Sequence, residues 1–253
     1  MAEEFGGMIR RLHICLLLLA PLTMIAQTFR GYPGLPVAKD RQAVVYHKAY
    51  TLEYSEQHEQ ARWTAHVLTR NRVGGDIQRD PNFYEDPAVE TGSANHEDYR
   101  KSGYSRGHMV PAGDMKWDAT AMMESNYYSN MTPQLADLNN GAWNRVENKV
   151  RQWAKEYDTL YIFTGPVLRQ GLPTIGANKV SVPEAFWKVV YCPKTSQAIA
   201  FILPNRRCDE NTKDFAVTVD EVEQRTGIDF FPDIPTQVQE QIESRICWTC
   251  WSW

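Results

Sequence analysis

The order of the apolar segments along the chain is the feature that most limits its fold. Helices are predicted from Leu138 to about Tyr157, from an N-cap at Asp220 to Gly227, and over 236–246. Strand-like runs occupy 43–54, 62–70, 126–132, Leu160–Phe163, Phe186–Tyr191, Ala198–Leu203 and Phe215–Val219. Because strands and helices do not alternate strictly, the sequence favours an α+β fold with a mixed or antiparallel sheet over a doubly wound parallel sheet.

Composition narrows the class of protein further. The 253 residues can bury the core of one large domain or of two small ones, and no Pro/Gly/Ser-rich linker divides them, so we expect one domain. The many aromatic residues exclude a disordered chain, and five cysteines are too few for a disulfide-built scaffold. The formal net charge of −4 excludes a protein that coats nucleic acid through its overall charge.

The N-terminal segment is typical of a targeting signal. Arg10 and Arg11 precede a short apolar stretch, Leu12–Ile25, and the small residue Ala26 follows it. This pattern predicts a signal peptide over 1–26, with an uncleaved N-terminal anchor as the alternative. The protein is then expected to be secreted or periplasmic, with no membrane association after cleavage.

Four cysteines remain after such cleavage: Cys192, Cys208, Cys247 and Cys250. An even number in an exported chain predicts structural disulfides, for which three connectivities exist. Cys247 and Cys250 also form a C-x-x-C motif, so a redox site or half of a zinc site stays open at this point.

The block Gly103–Ala112 combines glycine, arginine and histidine. His108 follows Gly107, which permits close approach of a backbone or phosphate, and Arg106 adds positive charge. Within 100–116 four basic residues face a single acid, Asp114. This local basic patch makes His108 a candidate catalytic base, although a lone histidine is more often structural.

The helix predicted after Leu138 carries polar groups along one flank. Trp143, Val146, Val150 and Trp153 form its apolar face. Asn139 projects onto the same stripe, where a buried amide needs a partner such as a metal ion or a backbone carbonyl. Glu147 and Arg151 follow along one edge, which is also typical of an ordinary solvated helix face.

These blocks together carry a resemblance to a known family. The ordered motifs S-R-G-H (105–108), S-N-M-T-P-Q (129–134) and L-N-x-x-x-W (138–143) resemble those of DNA/RNA non-specific endonucleases of the ββα-metal superfamily, which includes endonuclease G. The resemblance covers about 45–235. It implies a ββα-metal finger that carries the active site, beside a mixed or antiparallel sheet core. Together with the N-terminal pattern, it predicts a signal peptide (1–26), an N-terminal linker (27–42) and one endonuclease domain (43–253).

The resemblance also implies residue roles. His108 matches the general base, and Asn139 matches the metal ligand, for Mg²⁺ with Mn²⁺ as an alternative. Glu147 matches a carboxylate that orients metal-bound water, while Arg79 and Arg151 match arginines that stabilise charge on phosphorus. Arg106, Asn130 and Gln134 match positions that bind substrate or shape the site, and Asn126 matches a further polar position. Ser105 departs from the family, which most often has aspartate there.

The function implied is a secreted, metal-dependent endonuclease that cleaves DNA and RNA and leaves 5′-phosphate ends, able to form a homodimer. Two alternatives stay open. One is a catalytically impaired nucleic-acid-binding protein on the same fold. The other is an exported thiol-disulfide protein that uses Cys247 and Cys250.

Overall fold

A computed structural model describes residues 35–253. The predicted signal peptide lies outside this range, and only 35–42 of the predicted linker fall inside it, so both divisions stay predictions. The strands are β1 (Val44–Tyr46), β2 (Tyr50–Ser55), β3 (Gln60–Thr69), β4 (Ser105–His108), β5 (Met131–Gln134), β6 (Thr159–Pro166), β7 (Thr174–Ile175), β8 (Val180–Ser181), β9 (Ala185–Cys192), β10 (Gln197–Pro204) and β11 (Ala216–Val217). The α-helices are α1 (His96–Tyr99), α2 (Ala119–Ser125), α3 (Ala136–Leu138), α4 (Asn144–Tyr157), α5 (Val219–Thr226) and α6 (Thr236–Glu243).

A seven-stranded sheet in the order β1-β2-β3-β6-β9-β10-β11 forms the centre of the fold. Every neighbouring pair is antiparallel, as in the register Ile162↔Val190 between β6 and β9. The predicted α+β class with an antiparallel sheet is therefore confirmed. None of the helices in 35–253 has the length and apolar character needed to cross a bilayer.

Both faces of this sheet are buried because side chains alternate along each strand. On β9, Phe186 and Val190 pack in the cluster beneath α4, whereas Trp187 and Val189 pack in the cluster beneath α5 and α6. The same alternation places Lys188 on the α4 face, where its Nζ lies 5.0 Å from the centre of the Trp143 ring.

Strands β4 and β5 and the following helices form a strand–strand–helix finger beside the sheet. The two strands pair antiparallel, with His108 opposite Met131 and Gly107 opposite Thr132. A Cβ atom at Gly107 would lie 2.5 Å from Oε1 of Gln134, so only glycine fits this register. This arrangement confirms the predicted ββα finger.

The structure corrects the predicted helix over Leu138–Tyr157. A π-helical turn, Asn139–Trp143, separates α3 from α4, and Gly141 has non-helical torsion angles there (φ −99°, ψ −108°). Asn139 at the start of the turn is half-buried, whereas Trp143 at its end is fully buried.

The C-terminal helices also differ in detail from the prediction. Thr218, not Asp220, is the N-cap of α5, and its side chain accepts a hydrogen bond from the backbone N–H of Glu221. Gly227 ends α5 in the left-handed conformation, as predicted. Helix α6 ends at Glu243, three residues earlier than expected.

Cysteine pairing is only in part as predicted. Cys247 and Cys250 form a disulfide, whereas Cys192 and Cys208 are buried and unpaired. The segment that follows the disulfide packs on α4, where the ring centre of Trp251 lies 4.7 Å from that of Trp153 with the two rings tilted by 49°.

Candidate active site

His108 lies at the end of β4 with its ring buried. Its Nε2 is 2.9 Å from Oδ1 of Asn126. The Nδ2 group of Asn126 donates to the backbone carbonyls of Asp80 (2.9 Å) and Asn82 (3.0 Å). Since that nitrogen is committed as a donor, Oδ1 accepts from His108, and Nε2 carries the proton. The neutral ring therefore keeps its lone pair on Nδ1.

The environment of His108 favours this neutral form. Burial lowers the pKa of His108 to about 4, and the positive charges of Arg79 and Arg106 act in the same direction. The hydrogen bond to Asn126 opposes them. A neutral imidazole at pH 7 can accept a proton, as a general base requires.

Asn130 fixes the backbone that follows His108. Its Oδ1 accepts from the Val110 N–H (2.9 Å), and its Nδ2 donates to the carbonyls of Val110 (3.0 Å) and Ser125 (2.7 Å). Gln134 is fully buried behind Gly107, and both of its amide atoms lack a partner among the described residues. Neither amide lines the cavity described next, and the role predicted for both in shaping the site stays a prediction.

A cavity of about 290 Å³ lies in front of His108. It brings together five of the residues singled out in the sequence: Arg79, His108, Asn139, Glu147 and Arg151. Arg106, Asn130 and Gln134 are not on its wall.

The π-helical turn brings Asn139 to this cavity. Its side-chain amide makes no hydrogen bond to any residue within 35–253, and a half-buried amide in that state is available to a ligand. Glu147 lies two turns further on, with 13% of its side chain exposed. An amide oxygen and a carboxylate on one polar cavity are hard oxygen donors, and they fit a divalent cation such as Mg²⁺.

A buried ion-pair chain holds Arg151. Its Nη1 donates to Oδ1 of Asp114 (2.8 Å), while Oδ2 of Asp114 accepts from Nε2 of His66 (3.1 Å). Nη2 of Arg151 lies 3.9 Å from Oε2 of Glu147. Although burial opposes it, contact with His66 and Arg151 keeps the pKa of Asp114 below its usual value, so Asp114 is ionised.

Lys188 extends this chain of charges behind the cavity. It is 1% exposed and donates from Nζ to Oγ1 of Thr164 (2.7 Å). Burial lowers the pKa of Lys188 to about 8 against the attraction of Glu147. Burial raises the pKa of Glu147 to about 7, and Lys188 and Arg151 limit that rise. Lys188 is therefore the main positive charge that opposes protonation of Glu147.

The sequence prediction missed His66, Asp114 and Lys188. Two signals were present in the sequence. Asp114 is the lone acid of the basic stretch 100–116, and Lys188 interrupts an otherwise apolar and aromatic strand. His66 gave no signal beyond its position in β3.

A second, larger cavity of about 520 Å³ adjoins the first and shares Arg79 with it. Its wall is aromatic and basic and also contains Ser105; it is formed by Arg79, Asp80, Pro81, Phe83, His96, Tyr99, Arg100, Tyr104, Ser105 and Arg106. Phe83, on the wall of the larger cavity, lies close to both His108 and Arg106. The ring centre of Phe83 is 5.7 Å from that of His108. The guanidinium carbon of Arg106 lies over the Phe83 ring, 4.0 Å from its centre.

Comparison with known proteins finds similar sequences over most of the chain. The family model described as DNA/RNA non-specific endonuclease matches residues 30–237. The chain is 35% identical over 211 residues to the mitochondrial nuclease EXOG of Danio rerio, a match that covers 76% of this chain and 62% of that protein. It is 33% identical over 224 residues to the mitochondrial endonuclease G of Homo sapiens, covering 81% and 72%.

A solved structure supports the fold as well. The crystal structure of the EndoG/EndoGI complex, which concerns inhibition of EndoG, superposes with a TM-score of 0.74 at 31% identity. The match covers 87% of this chain and 96% of that one. The chain thus spans under two thirds of the zebrafish relative and nearly all of the solved one.

These relatives overturn the predicted localisation. Both curated relatives are named as mitochondrial nucleases, so the prediction of a secreted or periplasmic protein is wrong.

Proposed function

The chain belongs to the DNA/RNA non-specific endonuclease family, a family of metal-dependent nucleases, and on that premise we propose that it cleaves DNA and RNA internally at the cavity in front of His108. The observation that carries the proposal is the convergence on one wall of a neutral histidine, an unpartnered amide, a buried carboxylate and two arginines. This set supplies the base, the oxygen donors and the positive charge that phosphodiester hydrolysis needs.

His108 acts as the general base. Its Nδ1 accepts a proton from the attacking water, while Nε2 stays bonded to Asn126. The new P–O bond forms as the bond to the 3′-oxygen breaks, and the leaving 3′-oxygen takes a proton from a second water, so the products are a 5′-phosphate and a 3′-hydroxyl. General-base catalysis of this kind contributes roughly 10²–10⁴-fold.

Asn139 would ligate the divalent cation, Mg²⁺ with Mn²⁺ as an alternative, and Glu147 would act on it through an intervening water. When bound, such a cation supplies Lewis-acid stabilisation of the charge on the leaving oxygen. Glu147 orients water through its carboxylate. Lys188 supports that role because its charge favours the ionised carboxylate.

Arg79 and Arg151 stabilise the negative charge that develops on the phosphoryl oxygens. Asp114 holds one edge of the Arg151 guanidinium at 2.8 Å, which fixes its orientation without removing its charge. Arg79 is exposed and forms no ion pair with another residue in 35–253, so its guanidinium is free to meet phosphate.

The larger cavity binds the nucleotides that flank the scissile phosphate. Its arginines contact the phosphates of the nucleic acid, and its aromatic rings can stack on any base. Neither kind of contact distinguishes one base sequence from another. Tolerance of both sugars follows if most contacts are to phosphate. The net negative charge of the protein does not prevent it from binding nucleic acid, since positive charge is needed only in this groove.

The decisive experiment is digestion of plasmid and RNA in Mg²⁺ by the wild type, Asn139→Ala and the exposed control Asn71→Ala. We expect EDTA to abolish cleavage by the wild type, Asn139→Ala to be inactive, and Asn71→Ala to remain active. If Asn139→Ala digests plasmid as well as the wild type in Mg²⁺, the assigned metal site is wrong.

The same assay addresses the two alternatives. Binding of nucleic acid without metal-dependent cleavage would favour an impaired binding protein. Loss of function in Cys247→Ser with the fold intact would favour a thiol-disulfide protein. We expect that variant to keep its nuclease activity, because the disulfide lies after α6 and does not line the catalytic cavity.

A further inference from the structure

Three carboxyl groups converge on the far side of the sheet from His108. Asp220 and Glu223 come from successive turns of α5, and Glu243 is the last residue of α6. One carboxylate oxygen of each lies within 4.8 Å of the other two. None of these residues lines the catalytic cavity.

Glu243 is the most unusual member of this acidic cluster. It is only 6% exposed, and its Oε1 is buried with no hydrogen-bond partner in the part of the chain that the structure describes. Leaving a buried acceptor unsatisfied is costly. Its position at the C-terminal end of α6 adds to that cost, because the helix dipole disfavours negative charge there.

The charged groups nearby do not neutralise the negative charge of this acidic cluster. The charged groups that act most strongly on Glu243 are Glu223, Asp220 and Asp229, all acidic. Burial, followed by Glu223, raises the pKa of Glu243 to about 8, and burial raises that of Glu223 as well.

We propose that Asp220, Glu223 and Glu243 form a second divalent-cation site, selective for Ca²⁺, that ties α6 to α5. Protein Ca²⁺ sites use oxygen ligands at 2.3–2.6 Å, so two ligands of one ion can be up to roughly 5 Å apart. Mg²⁺ is usually held by one or two carboxylates and keeps several of its waters, whereas Ca²⁺ accepts a larger and more flexible set of protein oxygens. Three carboxylates within 4.8 Å of one another therefore suit Ca²⁺ better, and water completes its coordination.

A cation at this site would stabilise the packing of α5 and α6 on the sheet. Val222 of α5 and Ile242 of α6 pack in one apolar cluster with Trp187 and Phe230 against the sheet. A bound cation replaces mutual repulsion of the carboxylates by a shared ligand, and so stabilises the packing of both helices. The site is structural and needs no contact with nucleic acid.

The test measures thermal unfolding of the metal-free Asn139→Ala chain as Ca²⁺ is added; this background removes the cation site proposed at the catalytic cavity. We expect Tm to rise by roughly 5–10 °C at Ca²⁺ about 100-fold above its Kd. Glu243→Gln in the same background should abolish the rise and leave the metal-free Tm at least as high. Glu240→Gln, an exposed glutamate of the same helix, should preserve the rise.

Two further measurements close the test. Calorimetric titration of Asn139→Ala should give one Ca²⁺ site, and the double variant with Glu243→Gln should give none. If Glu243→Gln folds poorly, Asp220→Asn serves instead, since Asp220 is exposed. The proposal is wrong if Asn139→Ala shows no rise up to about 1 mM Ca²⁺, if Glu243→Gln or its Asp220→Asn substitute shows the same rise, or if Mg²⁺ matches Ca²⁺.

Because every readout is binding or stability in an Asn139→Ala background, the result is independent of nuclease activity. Failure of the Ca²⁺ site would leave the proposed nuclease mechanism intact, and the reverse also holds.

Discussion

The side-chain oxygen of Asn126 lies 2.9 Å from Nε2 of His108, and it can only accept a hydrogen bond, because the amide nitrogen of Asn126 already donates to two backbone carbonyls. This relationship assigns the proton to Nε2 and the lone pair to Nδ1. A histidine held in this tautomer is prepared to accept a proton without first rearranging.

Replacement of this base gives the first prediction. His108→Ala should lower kcat by roughly 10²–10⁴-fold, the usual contribution of a general base. Added imidazole should restore part of the rate, since the space left by the ring opens on the cavity. Plasmid cleavage with and without imidazole measures both effects, and a variant with wild-type kcat would remove His108 from the mechanism.

The dependence of the cleavage rate on pH should reflect the titration of two groups, Glu147 and His108. The pKa of Glu147 is about 7, whereas that of His108 is about 4. Activity needs both groups deprotonated, so at limiting Mg²⁺ the rate should fall as pH drops through about 7. The charge of a cation bound nearby favours the ionised form of Glu147, so saturating Mg²⁺ should move this fall in rate to lower pH.

At saturating metal, the fall in rate at acid pH should reflect protonation of His108. It should occur well below pH 6.5, the pKa of an unperturbed histidine. Rate profiles at several Mg²⁺ concentrations provide the measurement. An acid limb that stays near 6.5 at every concentration would contradict the assignment of these two groups.

Lys188 provides the third prediction. Lys188→Met keeps most of the side-chain volume but removes the positive charge that limits the pKa of Glu147. The pKa of Glu147 should then rise, and activity at pH 7 should fall by roughly fivefold or more. Because the variant is impaired only by protonation of Glu147, its activity should recover as the pH is raised toward 9. Lys194→Met, at an exposed turn, is the control, and a loss independent of pH would indicate a packing defect instead.

Residues whose function depends on neighbours along the chain could be predicted from the sequence. His108 and Asn139 stand in ordered motifs, Glu147 and Arg151 follow along the helix flank after Asn139, and all four line one cavity. Lys188 could not be assigned, because its relation to Glu147 depends on which face of β9 packs under α4. The π-helical turn was missed because a single glycine, Gly141, is tolerated in an ordinary helix and gives no distinct signal.

The larger cavity yields the fourth prediction. Tyr104→Ala removes a ring from its wall while leaving the catalytic cavity untouched. Stacking of a base on an aromatic ring is worth about 1–3 kcal/mol, so KM should rise by roughly 5- to 100-fold with little change in kcat. The control is Tyr46→Ala, an exposed tyrosine outside both cavities. A fall in kcat with unchanged KM would contradict substrate binding at this wall.

The fifth prediction concerns Asp114, which joins His66 to Arg151. Asp114→Asn keeps the shape but removes the charge that orients the guanidinium, so kcat should fall by roughly 10- to 100-fold through misplacement of Arg151. Stability should fall by about 2 kcal/mol, because a buried charge-assisted hydrogen bond is lost. The control is Asp118→Asn, whose partner Lys48 is exposed. Single-turnover cleavage and thermal unfolding separate the two effects: a stability loss with wild-type kcat would show that Asp114 holds the fold but does not position Arg151.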